Sequence, residues 1–398
     1  MGKSKRKASK KGTPKRPTRP VRARAEEIKK AKKKVRHRGP QRVLVTGATG
    51  CVGGFVLSEL LKKGYHVIAS DLKGKAFPAG GERLTVVEGD LSDPIFTASL
   101  VDGVDAVINT AAVVDISLPY SSLAPINVEA VRVLFERSRQ VGVRQFVQFS
   151  SGSIYKASTM PIPESAPIEA GNDYERSKID AEKILFSKPR VTTPYVTVIR
   201  PALIYGPRGK VLMASIATLP PLVKSLGPYY IRMSGGPKTN MVHGEDVARA
   251  TVFLLNNPKA YGEAFNVADN DPRRFTDFIN IAMEVYGLKP LGPGIPYPPI
   301  TLLQSILPYI ARDEIFNPLN RVSGMLWNRL VKKHRLEKEL SPRIDKEALE
   351  FGVRDMVFGN RKLKALGFQL KYPRFEKGWR NTVGWYQEHR WIPRGNKK

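Results

Sequence analysis

Arg42-Val43-Leu44-Val45-Thr46-Gly47-Ala48-Thr49-Gly50-Cys51-Val52-Gly53 is the stretch on which the reading of this 398-residue chain turns. The apolar run Val43 to Val45 predicts a strand buried on both faces. Three glycines follow, Gly47, Gly50 and Gly53, and then Phe55, Val56, Leu57, Leu60 and Leu61 recur at helical spacing. Strand, glycines and helix in that order make a cradle for a dinucleotide pyrophosphate. Gly47 permits the tight turn, Gly50 lets the backbone approach the phosphates, and Gly53 lets the helix pack close to the strand. The free N–H groups of the first helical turn then face the anion. Ordinary turns also hold three glycines, but the flanking strand and helix favour the nucleotide reading.

Outward from this stretch, Lys62-Lys63-Gly64 ends the helix with cations and a glycine. A second strand, Tyr65 to Ser70, runs into Asp71, 24 residues after Gly47. A carboxylate there accepts both hydroxyls of an adenosine ribose and repels a 2′-phosphate; the bland alternative is a turn with Lys73-Gly74. Further strands are expected at Leu84 to Val87, Asp105 to Asn109, Gln145 to Phe149, Tyr195 to Ile199 and Ala264 to Val267. Helices are expected at Ile126–Gln140 and from Asp173 through Ile184. Asp90-Leu91 and Ala111-Ala112 come just past two of these strands, where small residues leave room for a flat ligand or simply pack tightly. The alternation predicts an α/β fold with a doubly wound parallel sheet. After residue 272 the rhythm is lost: residues 288–308 are rich in Pro and Gly, and the last hundred look helical and irregular.

The charge is uneven. Residues 1–42 carry 19 Lys and Arg against Glu26 and Glu27, so +17 of the net +30 lies in the first tenth of the chain. Residues 1–40 have almost nothing apolar to bury, and the expectation is a disordered basic tail. Such a polycation suits non-specific contact with anions, nucleic acid or a membrane surface, or simply solvation without a partner. The hydrophobic fraction of 41% supports a sizeable core. The single cysteine, Cys51, excludes an intramolecular disulfide and fits a reducing compartment. No apolar run approaches the roughly 20 residues that span a bilayer, and the N-terminus lacks the apolar stretch of a signal peptide. The expectation is a cytoplasmic protein, at most peripheral to a membrane.

Tyr174 and Lys178 lie four apart on a predicted helix and share a face. An ammonium beside a phenol favours the phenolate, and such a tyrosine can pass a proton to or from a substrate oxygen. With Thr46-Gly47-x-x-Gly50-x-x-Gly53, Asp90-Leu91, Ala111-Ala112, Asn127, Ser150-Ser151-x-x-x-Tyr155, Arg200-Pro201…Tyr205-Gly206-Pro207, Val242-x-x-x-Asp246-Val247-Ala248 and the terminal Leu366-Gly367-Phe368, all in order, the chain resembles the extended branch of the short-chain dehydrogenase/reductase superfamily. This is the NAD-dependent epimerase/dehydratase family, and the 3-beta-hydroxysteroid and sterol dehydrogenases are nearest in character. The resemblance spans about residues 42–390.

It implies a Rossmann sheet and NAD as cofactor, with NADP as the alternative. Gly47, Thr49, Gly50, Cys51, Val52, Gly53, Asp71, Asp90, Leu91, Ala111, Ala112, Tyr174, Lys178 and Pro201 are the implied cofactor contacts. Tyr174 is the implied acid/base, Lys178 tunes it and holds the ribose, and Ser151 hydrogen-bonds the reacting oxygen, with Ser150 as fallback. Asn127 is either a helix-kinking or relay residue or an ordinary helix N-terminal one. No metal is implied. The branch implies a substrate domain in pieces: residues 41–208 plus 238–272 form the cofactor domain, and 209–237 plus 273–398 the substrate domain. A homodimer is its usual assembly.

Ser151 is followed by Gly152-Ser153 rather than the Asp-Glu pair of the family's dehydratases. Between Arg200 and Tyr205-Gly206-Pro207 stand the apolar residues Pro201-Ala202-Leu203-Ile204, where its sugar-nucleotide enzymes often carry an asparagine. The expected reaction is oxidoreduction of a small-molecule secondary alcohol or ketone, more lipophilic than sugar-like. The alternatives are an NDP-sugar epimerase and a catalytically idle scaffold or nucleic-acid-associated protein. The apolar stripes at 298–310 and Leu319–Val331, ending in Lys332-Lys333, suggest a lipophilic lid over about residues 295–335, or else the core of the small domain.

Overall fold

Val43, Leu44 and Val45 have no exposed surface in β1 (Arg42–Thr46), as a strand covered on both faces requires. The structure is a computed structural model that describes residues 41–78, 81–156, 159–187, 192–210, 213–303, 305, 313–343 and 352–394. The basic tail expected at 1–40 lies outside the described residues. From β1 the chain turns into α1 (Cys51–Lys62), and the remaining strands of the central sheet follow. They are β2 (His66–Asp71), β3 (Leu84–Glu88), β4 (Ala106–Asn109), β5 (Gln145–Phe149), β6 (Tyr195–Pro201) and β7 (Glu263–Val267). Among the described residues this sheet has seven strands in the order β7-β6-β5-β4-β1-β2-β3, and every pair is parallel. This is the Rossmann order. The strand sequence reverses at β1, between β2 and β4, which opens a crevice at their carboxyl ends.

The two faces of the sheet follow the period of a strand. Val43, Val45, Val147 and Ile199 join α1 and α4 (Gly244–Leu254) in one apolar cluster. Leu44, Val107, Phe146 and Val198 join α2 (Ala130–Val141) and α3 (Asp173–Phe186) in another. Each fully buried aliphatic side chain contributes about 1.5–3 kcal/mol. Met356, Phe358, Leu363 and Phe368, from far along the chain, belong to the first cluster. Tyr205, Phe278, Trp327, Phe375, Trp379 and Tyr386 build a separate aromatic-rich core.

Two elements depart from the sequence expectation. The helix expected at Ile126–Gln140 begins earlier, as Tyr120–Ala124, and passes through a π-helical turn, Pro125–Glu129, into α2. The Ala130 N–H reaches back five residues to the Pro125 carbonyl, and the widened turn accommodates a proline inside a helix. Asn127 is therefore interior to the helix, and its reading as an N-terminal residue is corrected. The second departure is the Pro/Gly-rich stretch, where Lys289–Pro296 is a strand parallel to Tyr229–Ser234. Its register shifts between Leu291 and Ile295, across Gly292 and Gly294. A two-stranded sheet tolerates proline because each strand keeps an open edge.

No helix among the described residues is long and apolar enough to cross a membrane.

Candidate functional site

The loop between β1 and α1 is held by its own backbone and by the end of β4. Gly47 has φ +64°, and a Cβ there would lie 2.8 Å from the Ala111 backbone. A Cβ on Gly53 would lie 2.0 Å from the Gly47 carbonyl oxygen. Gly50 N–H donates to Gly47 O at 3.1 Å, and Thr110 Oγ1 donates to Thr46 O at 2.7 Å. Side chains at these glycines would fill the cradle, whose remaining donors are the first-turn N–H groups of α1. The residues fit a pyrophosphate.

At the end of β2, Asp71 Oδ2 accepts the Thr49 N–H at 2.9 Å and the Thr49 hydroxyl at 2.6 Å. Its Oδ1 accepts the Leu72 N–H at 2.9 Å. Asp71 thus pins the glycine loop while still lining the cleft. Asp90 and Leu91 lie beside it past β3, and Ala111 and Ala112 past β4.

The other end of the cleft holds Ser151, Tyr174 and Lys178. Asn172 caps α3 by accepting the Glu175 N–H at 2.9 Å. This places Tyr174 in the first turn and Lys178 in the second, with the Lys178 ammonium 5.6 Å from the Tyr174 ring centroid. Lys178 is buried, and its Nζ donates to Phe149 O at 3.4 Å. Burial brings its ammonium down to about 8, against the pull of Glu182 one turn on. Ser151 Oγ accepts the Ser153 N–H at 3.1 Å and lies 2.9 Å from Ser153 Oγ. Ser150 Oγ is buried with no partner among the described residues.

Gly47, Thr49, Gly50, Cys51, Val52, Gly53, Asp71, Asp90, Leu91, Ala111, Ala112, Ser150, Ser151, Tyr174, Lys178 and Pro201 all line one cleft of about 1050 Å³. Asn127 stands behind it. Its Oδ1 accepts the Val113 N–H at 2.9 Å, and its Nδ2 donates to Val113 O and to Ser177 Oγ, both at 3.0 Å. It ties the wall after β4 to the helix carrying Tyr174, a connection built by the π turn.

A buried network supports the same helix. Arg200 pairs with Glu182 through Nε at 2.9 Å and Nη2 at 2.5 Å, and its Nη1 donates to the Tyr155 hydroxyl at 2.9 Å. The Tyr155 hydroxyl donates to Asn266 Oδ1 at 2.7 Å, and burial pushes its pKa up to about 12. Breaking such a fully buried pair by removing one partner costs several kcal/mol, roughly 3–5.

Sequence reasoning missed the outer wall. Val113, Val114, Ile116, Leu203, Met356, Phe358 and Trp391 line it, together with Arg208, Lys210, Glu339 and Arg354. Lys210 pairs with Glu339 and lies 5.4 Å over the Trp391 ring, while Arg354 pairs with Glu175 at 3.2 Å. Arg208 and Lys210 directly follow Gly206-Pro207 and were findable from the motif. Met356, Phe358 and Trp391 come from stretches without periodicity. The lid expected at 295–335 is corrected: none of its described residues lines the cleft. Trp327, Leu330 and Val331 are core side chains, and Leu319, Val322 and Met325 are a little over half exposed away from the cleft. Residues 304 and 306–312 of that stretch lie outside the described residues.

The sequence model of the NAD dependent epimerase/dehydratase family matches residues 43–268. A 3 beta-hydroxysteroid dehydrogenase/Delta 5-->4-isomerase of Mycobacterium tuberculosis is 29% identical over 268 residues, covering 62% of this chain and 70% of that protein. A 3-beta-hydroxysteroid dehydrogenase of Mycolicibacterium neoaurum is 28% identical over 262 residues, covering 62% and 71%. Among solved structures, the UDP-glucose 4-epimerase of Thermotoga maritima with UDP-glucose superposes with a TM-score of 0.63 at 21% identity, over 87% of this chain and 99% of that one. At that identity the likeness speaks for the fold alone.

Proposed function

The chain belongs to the NAD-dependent epimerase/dehydratase family, whose sequence model covers more than half of it, and from that premise we propose that it is an NAD-dependent oxidoreductase of a lipophilic secondary alcohol or ketone. The observation that carries this reading is the outer wall of the cleft, where Val113, Val114, Ile116, Leu203, Met356 and Phe358 present apolar surface in the same cleft as Tyr174 and Ser151. Apolar walls with a few convergent polar groups bind ligands of that character. The mycobacterial hydroxysteroid dehydrogenases among its relatives point the same way.

NAD, when bound, supplies the two-electron exchange at the substrate carbon. The Tyr174 hydroxyl gives a proton to the substrate oxygen in reduction, and its phenolate takes one from it in oxidation. Lys178 holds positive charge beside that phenol, and Ser151 fixes the same oxygen by a hydrogen bond. Gly152 leaves no space for the acid or base of an elimination: a Cβ there would lie 2.8 Å from the Phe358 ring and 2.9 Å from Pro201 O.

A second reading, an NDP-sugar epimerase, has the cations of the outer wall in its favour. Lys210 and Arg354 are each already paired with a carboxylate, Glu339 and Glu175, which lowers their value to a diphosphate. Equilibrium dialysis of NAD-loaded protein tests the choice. A hydroxysteroid should be retained and UDP-glucose should not; the reverse outcome selects the epimerase.

A further inference from the structure

We propose that Arg208 is a clamp for the cofactor diphosphate, reaching across the cleft to the first turn of α1; this rests on the dinucleotide reading of the cleft. Arg208 follows Gly206-Pro207 in a turn closed by the Gly209 N–H donating to Gly206 O at 3.1 Å. Proline second and a residue of positive φ third is the pattern of a type II turn, whose third place ordinarily takes glycine. Here it is an arginine with φ +68°, a conformation that costs a non-glycine residue roughly 1 kcal/mol or more. The turn is nonetheless rigid. The buried Tyr386 hydroxyl donates to Gly209 O at 2.8 Å and also lies 3.2 Å from Gly206 O.

From this platform the side chain runs along α1. Its guanidinium carbon lies 5.3 Å from the Phe55 ring centroid. Gly54 leaves it room, because a Cβ there would meet Nη1 at 2.4 Å. The positive end of a helix is the wrong end for a cation, and the first turn of α1 holds no acidic residue. Among the described residues no carboxylate pairs with Arg208, whereas Lys210 and Arg354 on the same cleft wall each have one. A guanidinium, a helix N-terminus and the glycine cradle thus meet where no acidic side chain among the described residues balances them. A diphosphate meets all three, and Arg208 presents it with a fork of charge-assisted donors.

The diphosphate of a dinucleotide and that of a nucleotide sugar share this chemistry; the contact with α1 assigns Arg208 to the dinucleotide. Arg208→Gln should weaken binding of NAD and ADP-ribose about tenfold, a loss in keeping with one or two charge-assisted hydrogen bonds, and leave adenosine binding unchanged. Arg208→Gly should show the same loss with an unchanged or higher Tm, because glycine suits the turn. Isothermal titration with each ligand reads both. Unchanged NAD and ADP-ribose affinity in both variants overturns the assignment, as does a loss confined to UDP-glucose. If wild-type protein binds neither NAD nor ADP-ribose, the dinucleotide reading itself falls, and the clamp with it.

Discussion

Lys178 stands one helical turn beyond Tyr174 on the same face of α3, its ammonium 5.6 Å from the centre of the phenol ring. The ammonium is buried and donates to the backbone carbonyl of Phe149 at 3.4 Å. It therefore gives up its proton at about 8, well below the 10.5 of an ordinary lysine.

The consequence for stability has a definite sign. Between 8 and 10.5 the unfolded chain holds a proton on Lys178 that the folded chain has lost, so stability rises with pH in that window. Relative to Lys178→Met, wild-type protein should gain stability as pH rises from 8 toward 10.5. Urea titrations across the window measure the difference. A flat or falling difference would show that the ammonium is not desolvated as the geometry implies.

Asp71 should make the protein prefer NADH to NADPH, because its carboxylate faces the ribose end of the cleft and repels a 2′-phosphate. Asp71→Asn should narrow that preference and also loosen the glycine loop, since Thr49 donates twice to Oδ2. Fluorescence titration with both cofactors checks this. Tighter NADPH binding by wild-type protein would refute the assignment.

Gly53→Ala should destabilise the protein by about 1–3 kcal/mol, the usual range for overpacking, and should abolish cofactor binding. A Cβ would lie 2.0 Å from the Gly47 carbonyl oxygen and 2.8 Å from its carbonyl carbon, backbone atoms that cannot rotate away. Thermal unfolding and NADH fluorescence read the two effects. A variant with normal Tm and normal NADH binding would mean that this contact relaxes freely.

The sheet was legible because its residues obey a local rule. Val43, Leu44 and Val45 read as a strand buried on both faces, and they are; Gln145 to Phe149 read as a strand, and it is β5. The cradle was legible because part of what its glycines answer is local: Gly47 holds φ +64° in the turn, and Gly53 packs against the Gly47 carbonyl six residues before it. The site's outer wall was not. Met356 and Phe358 reach the cleft through single bridges to Thr239 and Ile162, and Trp391 arrives from the chain's last turns. Nothing in their local pattern encodes such long-range pairing. The apolar stripe Leu319–Val331 misled because helical spacing is the same for a core helix and a lid. Trp327, whose indole N–H donates to Leu340 O at 2.8 Å, belongs to the core. The π turn at Asn127 was hidden by Pro125, which usually marks a helix start and here sits inside one.

The measurement that bears most directly on the account is formation of NADH from NAD by wild-type protein and by Tyr174→Phe, with a panel of hydroxysteroids and other lipophilic secondary alcohols set beside UDP-hexoses. The account predicts NADH formation with at least one lipophilic alcohol. It also predicts a loss of about a hundredfold or more in kcat for Tyr174→Phe, the range for removing a general acid/base, with the Kd for NAD unchanged. UDP-hexose interconversion without NADH formation from any lipophilic alcohol would contradict it, as would a Tyr174→Phe variant that keeps its turnover.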